Sequence, residues 1–89
     1  MNAIIAVIGQ DQRGILAKIS TVCADNGCNV LDVTQTVMQK YFAMIMLVEI
    51  TELSCSFGEF TNVVQQAGEE LSMTVHVMHE DIFNSMHRV

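Results

Sequence analysis

Cationic side chains are scarce. Four Lys and Arg stand against ten Asp and Glu, leaving a net charge of −6 at pH 7. Such a chain repels a phosphate backbone, which excludes nucleic acid as a partner class. Long apolar runs are missing too. The longest, Phe42 to Val48, is seven residues, far short of the ~18 to 20 that a spanning helix needs, so no membrane partner is expected. No basic segment precedes an apolar stretch at Met1-Asn2-Ala3, so neither a signal nor a transit peptide is read and the expected location is the cytoplasm. The three cysteines, Cys23, Cys28 and Cys55, are odd in number and unhelpfully spaced. In a chain without a leader they read as reduced, buried thiols and not as a disulfide framework. Proline is absent while methionine occurs seven times, which points to an adaptable core and, weakly, to binding.

Apolar residues are plentiful. They make up 51% of a chain of 89 residues in which only 16% are charged. That length holds one domain, residues 1–89, and a domain this small hides only about 60 to 65% of its unfolded surface. The surplus of apolar surface predicts an oligomer, a homodimer or a higher even assembly.

Periodicity sets the elements. Ala3 to Ile8 is apolar on both faces and ends at Gly9, the pattern of a central strand. Ile15, Leu16, Ile19, Val22 and Cys23 then recur on one helical stripe. Asp11 is placed to cap that helix and Asn26-Gly27 to stop it. From Asn29 to Gln39, Leu31, Val33 and Val37 alternate with a mixed side, which predicts an edge strand. A turn at Gln39-Lys40-Tyr41 leads into Phe42 to Ile50, again apolar on both faces and so central. Ser56 and Glu59 form a capping box for a second helix with Phe60, Val63, Val64, Ala67 and Leu71 on its stripe. Met73 to His79 alternates as a second edge. The fold class is therefore α+β: a ferredoxin-like βαββαβ sandwich, an antiparallel sheet in the order 4-1-3-2 with both helices on one face. Residues 81–89 put Ile82, Phe83, Met86 and Val89 at helical spacing and predict a short C-terminal tail helix.

This order, with Asp11-Gln12-Arg13-Gly14-Ile15-Leu16-Ala17 before helix one and Asn26-Gly27-Cys28-Asn29-Val30 before strand two, resembles the ACT domain, a small regulatory module that commonly senses amino acids. Arg13 departs from the family's frequent proline. The resemblance covers the whole chain and is closest to free-standing bacterial and archaeal ACT proteins, whose tails look like His79 to Arg88. It implies a small-molecule ligand, an amino acid by class, held between Asp11, Gln12, Arg13, Gly14 and Ile15 of one subunit and Asn29 and Val30 of a neighbour. It also implies regulation in trans of a client protein, without an enzymatic activity and without a cofactor.

The chemistry of these residue types agrees. Backbone N–H groups at a helix N-terminus suit a carboxylate, and glycine permits close approach. An Asn amide both donates to and accepts from a zwitterion. If Asp11 caps the helix its charge competes with that carboxylate; otherwise it is available to an ammonium group. The alternatives are a plain cap and turn with no ligand, which makes the chain an assembly module, and metal binding by His79, Asp81 and His87. His76 and His79 are three apart on a strand and point to opposite faces, which spoils a shared ligand set. Arg13 as a phosphate cradle lacks a glycine-rich loop, and the cysteines lack a histidine at recognisable spacing. An RNA-binding sheet would need more stacking residues than Phe42.

Overall fold

A computed structural model describes residues 1–10 and 14–86. Its elements run β1 (Asn2–Gln10), α1 (Ile15–Asp25), β2 (Asn29–Met38), β3 (Tyr41–Glu49), α2 (Phe57–Glu70), β4 (Thr74–His79) and α3 (Glu80–Met86). The four strands form one antiparallel sheet in the order β2-β3-β1-β4, the expected 4-1-3-2 read from the other side. The centre of the sheet is where both faces are apolar, because a strand flanked on each side has no wet edge.

Alternation divides each central strand. Ala3, Ile5 and Val7 of β1 and Phe42, Met44, Met46 and Val48 of β3 are buried and form the core with Ile15, Ile19 and Cys23 of α1 and Phe60, Val64 and Ala67 of α2. Phe60 and Ile19 are wholly inaccessible, each worth about 1.5 to 3 kcal/mol of transfer free energy. Leu16 and Val63 fall at the margins of their stripes and are exposed. The other face carries Ile8 and Ile45, 50% and 46% exposed.

The helix boundaries have local causes. Ser56 caps α2, its Oγ accepting from the Glu59 N–H at 3.1 Å, which is half of the expected capping box. α1 begins later than expected, at Ile15, with Gly14 at φ 82°, ψ 4° as its N-cap; Asp11, the expected cap, lies outside the described residues. The helix ends as expected at Asn26-Gly27, and the stop is a Schellman turn. The Cys28 N–H donates to the Cys23 carbonyl at 2.8 Å and the Gly27 N–H to the Ala24 carbonyl at 3.2 Å, with Gly27 at φ 75°.

Two further readings need correction. A β-bulge lies between Val30 and Asp32, so Leu31 leaves the alternation it was expected to share with Val33 and Val37 and is exposed. The extra residue is invisible to a period-two count. In the tail, the helical spacing groups Ile82 with Phe83, and α3 packs against β1 and β4, yet Ile82 is 55% exposed while Phe83 is half-buried. Ile4, on the face opposite α1 and α2, is nevertheless only 7% exposed, and α3 is the element that packs on its strand and on the neighbouring one. Val89 and His87 lie outside the described residues.

Candidate ligand site at the start of the first helix

The turn into α1 is built by Gly14. Its left-handed backbone favours glycine, and its carbonyl accepts from the Lys18 N–H at 2.9 Å, closing the first helical turn. The first N–H groups of a helix have no partner inside it. At α2 the Ser56 side chain takes one of them; at α1 the capping glycine has no side chain to offer. No acidic residue lies in α1's first turn, whereas α2 has Glu59 there. The positive end of the α1 dipole is thus not countered by its own first turn. Ile15 sends its side chain into the core, being 2% exposed, so only its backbone is available to a ligand. Asp11, Gln12 and Arg13 lie outside the described residues.

Asn29 and Val30 are elsewhere. Asn29 is exposed at the start of β2 and Val30 is half-buried. Asn29, Glu49 and Asn2 form one row across the sheet, while Met38, Tyr41 and Gln10 form the row at its opposite end. Eight register steps of β3 separate the rows, about 27 Å at ~3.4 Å per residue. α1, which runs between Gly14 and the turn before Asn29, is itself roughly 16 Å long at ~1.5 Å per residue. Within one chain, therefore, Gly14 and Asn29 do not meet.

The Gly14 end also has a concavity that sequence reasoning missed. A depression of about 520 Å³ is lined by Ile8, Gly9, Gln10, Tyr41, Ser72 and Thr74. Among the described residues, hydroxyl, amide and apolar groups line it, with no charged side chain. Its residues come from three strands and the turn before β4, so no contiguous motif announces it; register alone joins Ile8 to Thr74 and Gln10 to Tyr41. Lys40 stands over the Tyr41 ring, its Nζ 5.5 Å from the centroid.

The histidine pair behaves as its spacing requires. His76 pairs with Ala6 and His79 with Ala3, on opposite faces. His79 Nδ1 accepts from the Asp81 N–H at 3.2 Å and lies 3.6 Å from Asp81 Oδ2, while its ring meets Phe57 edge-on at 6.4 Å between centroids. The described residues bring no third donor to this pair. Cys23 and Cys28 are buried and Cys55 is half-buried, all three unbridged.

Comparison with known proteins follows the same lines. The family model for the ACT domain matches residues 2–78. A UPF0237 protein of Methanocaldococcus jannaschii is 50% identical over 88 residues, which is 99% of this chain and 98% of the relative. The solved ACT domain protein from Streptococcus pneumoniae superposes with a TM-score of 0.81 at 34% identity, covering 98% of each chain. The regulatory subunit of aspartate kinase from Thermus thermophilus shares the fold, with a TM-score of 0.67 at 24% identity over 86% of this chain and 50% of that one. No helix among the described residues is long and apolar enough to cross a membrane. ACT domains are typically ligand-binding regulatory modules, and with its sheet order, its glycine-capped first helix and these likenesses the chain belongs to the ACT domain family.

Proposed function

We propose that the chain is an amino-acid-responsive regulatory module that works as a symmetric dimer in the cytoplasm and acts in trans on a client protein, with no catalysis of its own. The observation that carries this reading is the separation of Gly14 from Asn29. Two halves of a zwitterion site at opposite ends of one protomer become one site only when a second copy is placed antiparallel beside the first. The edge strand β2 offers the means, because a two-fold axis across its middle sets the partner's first residues beside this chain's Met38 row, the row that contains Gln10.

The surface supports that pairing. Val37 and Met38 are 55% and 68% exposed on β2, and an unpaired strand edge is a template for another strand. In the assembled site the α1 N-terminus and Gly14 receive a carboxylate. Asp11 receives the ammonium. Asn29 and Val30 of the partner close the site, Gln12 and Arg13 complete the loop, and the depression beside Gln10 takes the ligand's side chain.

A thermal-shift screen of the standard amino acids tests this. A binder at about a hundred times its Kd stabilises by about 2.7 kcal/mol, and Asn29→Ala is expected to weaken it by at least ~1 kcal/mol. Stability itself should stay within ~0.5 kcal/mol, because Asn29 is exposed. A solution mass near 9.9 kDa at micromolar concentration contradicts the dimer.

The second reading, a ligand-free assembly module, draws on the same exposed apolar groups. It is favoured by a dimeric mass together with a flat amino-acid screen. Metal binding draws less support, since His79 Nδ1 already takes the Asp81 amide.

A further inference from the structure

The Schellman turn that ends α1 carries a cysteine at each of its two contact positions. In this motif the third residue from the helix end and the second residue beyond the cap commonly touch side chain to side chain, and here, with Asn26 as the cap, they are Cys23 and Cys28. The direct backbone bond between them, 2.8 Å from the Cys28 nitrogen to the Cys23 oxygen, tethers their Cα atoms at the kind of spacing a disulfide bridges, about 4.4 to 6.8 Å. Two aliphatic residues would satisfy the packing equally well. Cys23 is wholly inaccessible and Cys28 5% exposed, so the outer member of the pair is the one a small oxidant reaches first.

We propose that Cys23 and Cys28 form a reversible disulfide across the α1–β2 turn, with a hydroperoxide as the oxidant. The Cys28 thiolate attacks the peroxide oxygen, giving a sulfenic acid and expelling hydroxide or alkoxide, which takes up the proton that the Cys28 thiol lost and leaves as water or an alcohol. The Cys23 sulfur then attacks the Cys28 sulfur, its proton leaving with the hydroxyl as a second molecule of water. Two thiols are oxidised by two electrons and one peroxide bond is reduced. The charge distribution suits Cys28 as the thiol oxidised first. The Cys23 thiol donates a hydrogen bond to Cys28, which holds Cys23 protonated well above the usual thiol range, helped by burial, and draws the Cys28 thiol down.

Location gives the bond a consequence. Asn29 follows Cys28 directly, so the disulfide stiffens the turn from which β2 presents its first residue. Cys55 stands apart from the pair in its contacts: its Sγ donates to the Asn26 side chain at 3.7 Å, over the same turn.

The test treats the full chain with a small excess of hydrogen peroxide and measures intact mass and disulfide-mapped peptides. The expected result is the loss of two hydrogens, reversed by dithiothreitol, with the link mapped to Cys23 and Cys28. Cys55→Ser should keep that loss and Cys23→Ala should abolish it. Should Cys23→Ala fold poorly, the peptide map of the unmodified sequence decides alone. Amide exchange at Gly27 and Cys28, whose N–H groups close the turn, should slow severalfold in the oxidised protein. A chain that gains oxygen without losing two hydrogens, or a link mapped to Cys55, overturns the proposal. Unchanged exchange in a correctly linked protein removes its consequence for the turn.

Discussion

Replacing Gly27 by alanine should unfold this protein more readily than the same change at Gly14, although both glycines hold left-handed backbone. Gly27 sits at φ 75° and Gly14 at φ 82°, so each substitution carries the left-handed penalty of about 1 to 2 kcal/mol. Both also gain the same small benefit from a stiffer unfolded chain. The difference is what a Cβ meets. At Gly14 it finds nothing within 4 Å among the described residues; at Gly27 it collides with the Glu52 carbonyl oxygen and lies 3.3 Å from the Ser54 nitrogen. That nitrogen donates to the Asn26 carbonyl at 3.0 Å, so relieving the collision means giving up a hydrogen bond worth about 0.5 to 1.5 kcal/mol. Gly27→Ala should therefore cost roughly 1.5 to 3.5 kcal/mol and Gly14→Ala roughly 1 to 2. At about 4 to 8 °C per kcal/mol for a domain of this size, calorimetry should place the Gly27 variant several degrees below the Gly14 variant. Equal melting temperatures would refute the packing of the 50–56 loop on the end of α1.

Two further outcomes test the helices. Ser56→Ala should cost about 1 kcal/mol in urea unfolding, the loss of one helix cap, with no change in solution mass; a neutral result would show that the Ser56 to Glu59 bond is not held in solution. In α3, Phe83→Ala should cost about 1 kcal/mol for a half-buried ring, while Ile82→Ala, at 55% exposure, should stay within ~0.5. Equal losses at both would mean that α3 presents another side to the sheet.

The strand order was legible because double-sided apolar strands and half-polar strands differ in the sequence itself: Ala3 to Ile8 and Phe42 to Val48 have no polar face, so they are central. What alternation could not show was the inserted residue at Leu31, since a bulge changes the pairing and not the composition. Helix one was visible from Ile15 onward, but its start was misplaced, because Asp11 is a good cap residue by type while the backbone turns into the helix at Gly14. Cys23 and Cys28 were read as isolated thiols. Their spacing across an Asn-Gly stop is the signal that joins them, and it emerges only when the stop is recognised as a Schellman turn. The depression beside Gln10 was illegible for a different reason, being made by cross-strand register between residues more than sixty positions apart, from Ile8 to Thr74.

The sharing of one site between two copies is tested most directly by mixing two damaged chains. Asp11→Lys spoils the loop half and Asn29→Ala the strand half, so each variant alone should bind the amino acid that most stabilises the natural sequence only at weakened affinity, with no site at the original affinity. After the two are unfolded together and refolded, half of the dimers are mixed, and each mixed dimer holds one intact site and one doubly damaged one. Calorimetric titration should then recover about a quarter of the original binding capacity at the original affinity. A mixture that binds no better than its parents would contradict a site completed by a second copy.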